Sequence, residues 1–353
     1  MYSGDAAKGP SSYQVLSTRY KPRKLPNTTL ETKESPDTPV TRSRADVWAG
    51  TEIVAWDRAT GAVEPLYDMF DFADPRDIMF PFAWNTVLLN CGGDVDKADA
   101  LSAVEFHHIS SVSVSEATGD YIVASRELST VWSLFRDGSG ARWTLSTVGP
   151  IVSDFTFADD RDKFWQPHDV LQLAGGDLLV VDDGMSRPGC TMDVTVDCFS
   201  RAVRYALEGG AAVTSANAVD HAPGRVAVVW QYEYPLPLWG NASNWDEVMR
   251  ADVYNQVGGS LVPLHGGKTF LWGLTSMSAA DGGETNAQLP ISALLFELDM
   301  TAAPGAIVAS AKVPIPHTEV GKQNGYRFVP WDTISGEGTA APADLDDAGA
   351  DRR

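Results

Sequence analysis

The sequence is poor in cysteine and in basic residues, and it lacks any long apolar run. Its 353 residues include three cysteines and 27 lysines and arginines, against 47 aspartates and glutamates. The net charge of −20 at pH 7 argues against a protein that binds nucleic acid or an anionic membrane, because phosphate groups require a positive partner. No stretch approaches the ~18 apolar residues that a membrane-spanning helix needs. Residues 1–8 show no basic-then-apolar export signal, so the sequence predicts no membrane span and leaves the compartment open.

The cysteines show no spacing with histidine that is typical of a zinc site. Cys190 and Cys198 enclose a short loop and could form a disulfide in an oxidising compartment, but two unpaired thiols in a surface loop are an equally good interpretation. No set of Asp and His residues is clustered with the spacing of metal ligands. We therefore expect neither a metal nor a cofactor.

Turn formers and aromatic residues are abundant, with 31 Gly, 21 Pro and 11 Trp. They favour short strands joined by tight turns over long helices. Strand-like segments form three successive units of four, at about residues 106–146, 168–234 and 259–313, with partial units at each end. Four-stranded units that recur every 45–60 residues are typical of a β-propeller. The sequence thus predicts an all-β protein, and three complete units leave the ring short of a full set of blades.

The chain divides into three parts on this interpretation. Residues 1–45 are polar and proline-rich and predict an extended N-terminal lead-in, and residues 46–331 form the propeller. Within it, residues 68–104 predict a long irregular connection with a short helix near 95–103. Residues 332–353 are rich in Ala and Asp and predict a disordered acidic tail.

One hairpin in the first unit suggests chemistry. The segment from Glu105 to Arg126 reads as strand, turn at 117–120 and return strand, so that His108 and Arg126 come near the same sheet end. An imidazole beside a guanidinium suits an anion with several oxygens, such as sulfate or phosphate. A half-buried histidine and a surface arginine is the simpler interpretation of the hairpin alone. His168 begins a strand of the second unit at the position that corresponds to His107 and His108.

Several motifs, taken in order, resemble the arylsulfate sulfotransferases, which are PAPS-independent enzymes built on a six-bladed β-propeller. The resemblance covers about residues 47–331. The motifs that carry it are His108-Ile-Ser-Ser-Val, Ala124-Ser-Arg126, Trp165-Gln-Pro-His-Asp-Val170, Leu178-Leu-Val-Val-Asp-Asp-Gly184, Ser200-Arg-Ala-Val-Arg-Tyr205, Trp230-Gln-Tyr-Glu-Tyr234 and the run from Gly259 to Gly273.

The resemblance implies transfer of a sulfuryl group from a phenolic sulfate ester to a phenol through a sulfated histidine. By motif, His168 matches the histidine that becomes sulfated, His108 an assisting histidine, and Arg126 the arginine that binds the sulfuryl oxygens. His107 and Arg201 are candidate supporting residues. The implied partners are a small-molecule aryl sulfate donor and a phenol acceptor, in a secreted or periplasmic type of compartment.

Two other functions fit parts of the sequence. A catalytically impaired propeller could bind a sulfated or other anionic ligand, or a protein partner, at the mouth of the propeller where these residues are expected to lie. One feature favours this alternative: the family uses a further upstream histidine, whereas no histidine precedes His107. A quinone- or metal-dependent propeller enzyme is disfavoured by the lack of clustered metal ligands. Asp169, next to His168, is expected to face the opposite side of its strand and to be structural.

Overall fold

The computed structural model describes residues 14–32, 41–57, 59–75, 86–89, 101–148, 151–184, 187–189, 199–209, 223–233, 259–264, 269–275, 291–301 and 306–315. These residues form eighteen β-strands in four sheets, which confirms the predicted all-β class. The helices of this part of the chain are two three-residue 3-10 helices, Met69–Asp71 and Asp160–Asp162. Neither is long and apolar enough to cross a membrane. The predicted tail at 332–353 and the Cys190–Cys198 loop lie outside the described residues.

The first sheet contains five strands. They are β1 (Gln14–Thr32), β2 (Thr41–Asp57), β3 (Val63–Asp68), β4 (Thr86–Leu89) and β5 (Leu101–Glu105). Strands β1 and β2 form a long antiparallel hairpin, and β5 runs parallel to β2. Residues 1–45, predicted as a lead-in, therefore contribute β1 and the start of β2.

The predicted irregular connection at 68–104 differs from what the structure contains. It holds the first 3-10 helix, β4 and most of β5. Residues 101–103, at the end of the predicted short helix, belong to β5, and the rest of that prediction lies outside the described residues. Strand β4 pairs with β5, so the segment completes the sheet that β1 and β2 begin.

The next three sheets correspond to the three predicted units. The first meander is β6 (Ile109–Val114), β7 (Tyr121–Ser125), β8 (Thr130–Leu134) and β9 (Ala141–Ser146). The second is β11 (Pro167–Gln172), β12 (Leu178–Asp182), β13 (Arg201–Glu208) and β14 (Gly224–Glu233), with β10 (Phe155–Phe157) parallel to β14 at its edge. The third is β15 (Ser260–Leu264), β16 (Thr269–Thr275), β17 (Ile291–Asp299) and β18 (Ala306–Ile315). Neighbouring strands within each meander are antiparallel and consecutive in the chain.

Successive sheets pack through apolar faces. Strand β12 shows how the sequence achieves this, because its side chains are buried on both sides. Leu178 and Val180 belong to the core shared with the first meander, whereas Leu179 and Val181 pack in a core with residues of the third. Since alternate side chains of a strand point to opposite faces, the continuous run Leu-Leu-Val-Val is what a strand between two cores requires.

The first strands of the first two meanders are joined by serine side chains. Ser113 donates a hydrogen bond to the carbonyl of Val170 (2.9 Å), and Ser111 accepts one from the amide of the same residue (3.1 Å). Ser115 donates to the side-chain oxygen of Gln172 (2.7 Å). The bonds advance together along β6 and β11, so the two strands lie side by side and run in the same direction.

The first strand of the third meander continues this arrangement. The amide of Leu261 in β15 donates to Asp169 Oδ2 (3.1 Å), and Asp169 Oδ1 accepts from the amide of Val170 (3.1 Å). The Asp169 carboxylate thus joins β11 to β15 by accepting hydrogen bonds from backbone amides. This is the kind of structural role that the sequence predicts for it.

Candidate functional site

The predicted catalytic residues lie at one end of the first two meanders. His108 directly precedes β6, and Arg126 directly follows β7, which pairs with β6. The Arg126 amide donates to the His108 carbonyl (3.0 Å), so the hairpin brings these two residues together as predicted. His168 is the second residue of β11. The start of β11 is tied to the start of β6 because Ser110 Oγ donates to the carbonyl of Pro167 (2.8 Å).

The two first strands begin with the same backbone irregularity. In β6 the register shifts at Ser110, and in β11 it shifts at His168. The residue that precedes each strand has a positive φ, 42° at His108 and 54° at Gln166. His168 therefore corresponds to Ser110, and Gln166 corresponds to His108. The predicted correspondence of His168 with His107 and His108 was wrong, since a bulge that re-aims a side chain leaves no mark in the sequence pattern.

Backbone strain is concentrated at this end of the sheets. Among the described residues other than glycine, three have positive φ: His108, Ser129 (42°) and Gln166. The amide of Gln166 donates to Ser129 Oγ (3.0 Å), so two of the three are in direct contact. Such residues cost about 1–3 kcal/mol each and cluster at functional sites. Their common location points to this end as the functional one.

His168 is fully buried, and its tautomer follows from one hydrogen bond. Nδ1 lies 2.8 Å from the carbonyl oxygen of Gly259, just before β15. Because a carbonyl oxygen can only accept, Nδ1 carries the proton, and Nε2 of the neutral ring bears the lone pair. Three elements thus fix one nitrogen as the basic and nucleophilic atom: β11, its bulge and the start of β15.

Arg126 is buried between two carboxylates that the sequence did not suggest. Its Nη1 donates to Glu127 Oε1 (2.7 Å), and its Nε lies 3.9 Å from Asp183 Oδ2. Glu127 Oε1 is also 3.8 Å from His108 Nδ1. We call these four residues, His108, Arg126, Glu127 and Asp183, the strand-end cluster. The sequence signal that could have identified Glu127 and Asp183 is their position, because each lies one or two residues beyond the end of a buried strand, β7 or β12.

His107 has a different environment. Nδ1 accepts from the amide of Thr51 (3.2 Å) and Nε2 donates to the carbonyl of Ala73 (3.2 Å), while Phe70 and Phe106 contact the ring edge-on. Complete burial lowers the pKa of His107 from 6.5 to about 4, although the hydrogen bond to Ala73 opposes this shift. The ring is therefore neutral near pH 7, and these contacts give it a structural role that links the first sheet to the first meander.

Arg201, the other candidate supporting residue, acts through Asp182. The fully buried Asp182 carboxylate accepts from Arg201 Nε (2.8 Å) and Arg187 Nη2 (2.6 Å). It also accepts from the amides of Trp165 (2.8 Å) and Gly184 (3.0 Å). Asp182 thereby holds the segment that leads into His168. The remaining Arg201 donors bond the Gln231 side chain and the carbonyls of residues 162 and 163, so this guanidinium is occupied by the protein.

The site thus consists of a buried histidine with a defined tautomer, at the start of β11, and a strand-end cluster of mixed charge, whose member His108 directly precedes β6. Within the described residues, no group of three His, Cys, Asp or Glu side chains is arranged to hold a metal ion. No known protein family and no curated protein matches the chain.

Proposed function

We propose that the protein is a sulfotransferase that moves a sulfuryl group from an aryl sulfate ester to a phenol through a sulfated His168. The observation that carries the proposal is the bond from His168 Nδ1 to Gly259, because it directs the lone pair to Nε2. A neutral imidazole is a competent nucleophile near pH 7, and a covalent intermediate divides one difficult displacement into two easier ones.

The fold that accompanies this proposal is a β-propeller, with the sheets as successive blades. Three observations support it: the meanders follow one another in the chain, they pack through apolar faces, and their first strands are neighbours. In such an arrangement the first strands line a common axis, and residues at their ends face a shared mouth. His108, at the start of β6, and His168, in β11, occupy such ends.

In the first half-reaction, the lone pair on His168 Nε2 attacks the sulfur, and the bond from sulfur to the aryl oxygen breaks. A protonated His108 gives its proton to the departing phenolate oxygen. Arg126 stabilises the charge on the other sulfuryl oxygens. In the second half-reaction, neutral His108 takes the proton of the acceptor phenol, whose oxygen attacks sulfur while the bond to Nε2 breaks.

The charges of the strand-end cluster make the protonation of His108 important. With both carboxylates ionised and His108 neutral, Arg126 leaves the four residues with a net charge of about −1, which repels a sulfate ester. A protonated His108 brings the cluster to neutrality. The same proton that the leaving group needs thus also admits the anionic donor.

One observation favours the alternative of a protein that binds a sulfated or anionic ligand without turnover. Glu127 already occupies Arg126 Nη1, and a carboxylate in that position competes with sulfuryl oxygens for the same donors. The two functions differ in whether binding of an aryl sulfate is followed by release of phenol.

The test uses 4-nitrophenyl sulfate with no acceptor. We expect a burst of 4-nitrophenol stoichiometric with the protein, and an acid-labile mass increase of one sulfuryl group on His168. His168→Asn should abolish both signals, whereas His107→Gln, a matched histidine substitution in the core, should retain them. Binding of the ester by the parent protein without a burst would support the non-catalytic alternative and refute the sulfotransferase.

A further inference from the structure

We infer that Ser129 is a positioning residue that fixes His168 relative to Arg126; this inference rests on the proposed function. Ser129 is fully buried in the β7–β8 turn and directly precedes β8. Its amide donates to the carbonyl of Arg126 (3.1 Å), and its Oγ accepts from the amide of Gln166 (3.0 Å). Ser129 therefore connects the segment of the anion-binding arginine to the segment that leads into the nucleophile.

The turn that carries Ser129 is held from several sides, so its hydroxyl can act as a fixed point. The Ser129 carbonyl accepts hydrogen bonds from the amide and from Oγ1 of Thr147 (3.2 Å each). The amide of Leu128 donates to Ser125 Oγ (3.2 Å), and the Leu128 carbonyl accepts from Thr130 Oγ1 (2.7 Å). Since these partners lie at or next to the ends of β7, β8 and β9, the first meander determines where the Ser129 hydroxyl lies.

The backbone of Gln166 requires a contact of this kind. Gln166 has a φ of 54°, and the proline that follows it, Pro167, favours an extended backbone at the preceding residue. The local sequence therefore opposes the conformation that the folded chain adopts. That conformation begins the register shift between Pro167 and Asp169, which contains His168. The bond from the Gln166 amide to Ser129 stabilises it, so Ser129 helps to determine where the bulge presents His168.

The segment 165–168 has further anchors on the second meander, on β6 and just before β15: Asp182, Ser110 and Gly259. These contacts hold the segment to its own sheet and to the first strands on either side. The bond to Ser129 adds an anchor on the turn that carries Arg126. Because of this bond, the location of the bulge and the location of that turn depend on each other.

A link between Arg126 and His168 is important because the sulfur atom must meet both side chains at once. In the proposed reaction Nε2 attacks the sulfur while the guanidinium stabilises the sulfuryl oxygens. The reacting atoms must be aligned ~3–3.5 Å apart, and a misplacement of about 1 Å can cost a factor of about 100 in rate. Ser129 forms no bond to substrate and transfers no proton in this role. We therefore expect loss of its hydroxyl to slow sulfuryl transfer more than it weakens binding of the donor.

The test measures the burst of 4-nitrophenol over a range of 4-nitrophenyl sulfate concentrations for the parent, Ser129→Ala and Ser129→Gly. Both variants lose the acceptor for the Gln166 amide, but glycine adopts the φ of 42° at this position without strain. We expect both variants to lower the maximal burst rate by about 10- to 100-fold. The donor concentration that gives half the maximal rate should stay within about threefold of the parent value.

Ser146→Ala is the matched control. Ser146 is a buried serine of the same meander, and its side chain bonds Thr130 and Val148 within that meander. Its substitution should lower the urea concentration at the midpoint of unfolding while the maximal burst rate stays at the parent value.

The outcomes separate this inference from the function on which it rests. A parent protein that forms no sulfated His168 overturns the proposed function and this inference with it. A sulfated parent whose burst rate is matched by Ser129→Gly overturns the role of Ser129 alone. An equal loss of rate in Ser146→Ala, or a loss of donor affinity that accounts for the slower burst, assigns the effect to general damage and refutes positioning. If Ser129→Ala does not fold, Ser129→Gly decides, because it relieves the backbone strain.

Discussion

Protonation of His107 should make the stability of the protein depend on pH in a predictable window. The folded protein holds this ring neutral, with a pKa of about 4, against 6.5 for an ordinary histidine. Below pH 6.5 the unfolded chain therefore binds a proton that the folded protein does not bind. The contribution of the neutral His107 ring to the free energy of unfolding is fully present above pH 6.5 and is lost as the pH falls from 6.5 towards 4. His107→Gln removes the titration while it keeps an acceptor for Thr51 and a donor for Ala73.

The size of the effect follows from the shift in pKa. A difference of one pKa unit corresponds to about 1.4 kcal/mol, so the whole shift is worth about 3 kcal/mol. Roughly 2 kcal/mol of this is lost between pH 7 and pH 4.5. Burial raises the pKa of Glu52 and Asp68, but their other partners together outweigh it: Lys21 and Arg19 at Glu52, and Lys21, Arg23 and the Phe70 amide at Asp68. Both pKa values are therefore lowered, from 4.5 and from 3.8. Their contribution is therefore lost at more acidic pH than that of His107.

Urea unfolding followed by tryptophan fluorescence provides the measurement. The free energy of unfolding of the parent should fall by about 2 kcal/mol more than that of His107→Gln when the pH changes from 7 to 4.5. His107→Phe, which loses both backbone partners, should be less stable at pH 7 but show the same weak pH dependence. If His107→Gln keeps the full pH dependence of the parent, His107 is not the titrating group and the reasoning from its burial is wrong.

Two further predictions concern the segments that support His168. Asp182→Asn leaves two buried arginines without their carboxylate and should lower the free energy of unfolding by about 3–5 kcal/mol. Asp177→Asn, the control at the partly exposed pair with Arg204, should lower it by less than ~1 kcal/mol. Equal losses for the two variants in chemical denaturation would contradict this prediction. Gly184→Ala should cost at least ~2 kcal/mol, since φ is 72° and a Cβ would lie 1.9 Å from the Phe199 carbonyl. Gly119→Ala, with φ of 78° and open space, should cost about 1–2 kcal/mol, and a larger loss there than at Gly184 would refute the role assigned to the clash.

The all-β class and the three meanders could be predicted because local signals specify them. Alternating β-branched and polar residues mark the strands, and turns such as Thr118-Gly119-Asp120 have the residues that a tight connection needs. Strands β4, β5 and β10 were missed. Strands β4 and β10 have four and three residues, too few for a period to be visible, and β5 falls at the end of the predicted connection and helix. The pairing of all three depends on partners that are distant in the chain.

The candidate site was predictable only in part. The motifs indicated His108, Arg126 and His168, and the hairpin explains why the first two meet. The bulges at Ser110 and His168 could not be predicted, because a register shift depends on how two strands pair rather than on the composition of either. The neutral, anchored state of His107 could not be predicted for a similar reason: its hydrogen-bond partners are distant in the chain, Thr51 in β2 and Ala73 between the first 3-10 helix and β4.

The serine bonds between β6 and β11 have a consequence for how the site tolerates change. Apolar faces pack in many similar ways, so a core alone allows one sheet to slide against the next by a fraction of a residue. The hydrogen bonds from the Val170 amide to Ser111 and from Ser113 to the Val170 carbonyl are directional, and both can form at only one offset of the two strands. They set the axial offset of the two strands independently of the core. Core residues can therefore vary in size while His108 and His168 keep their relative height.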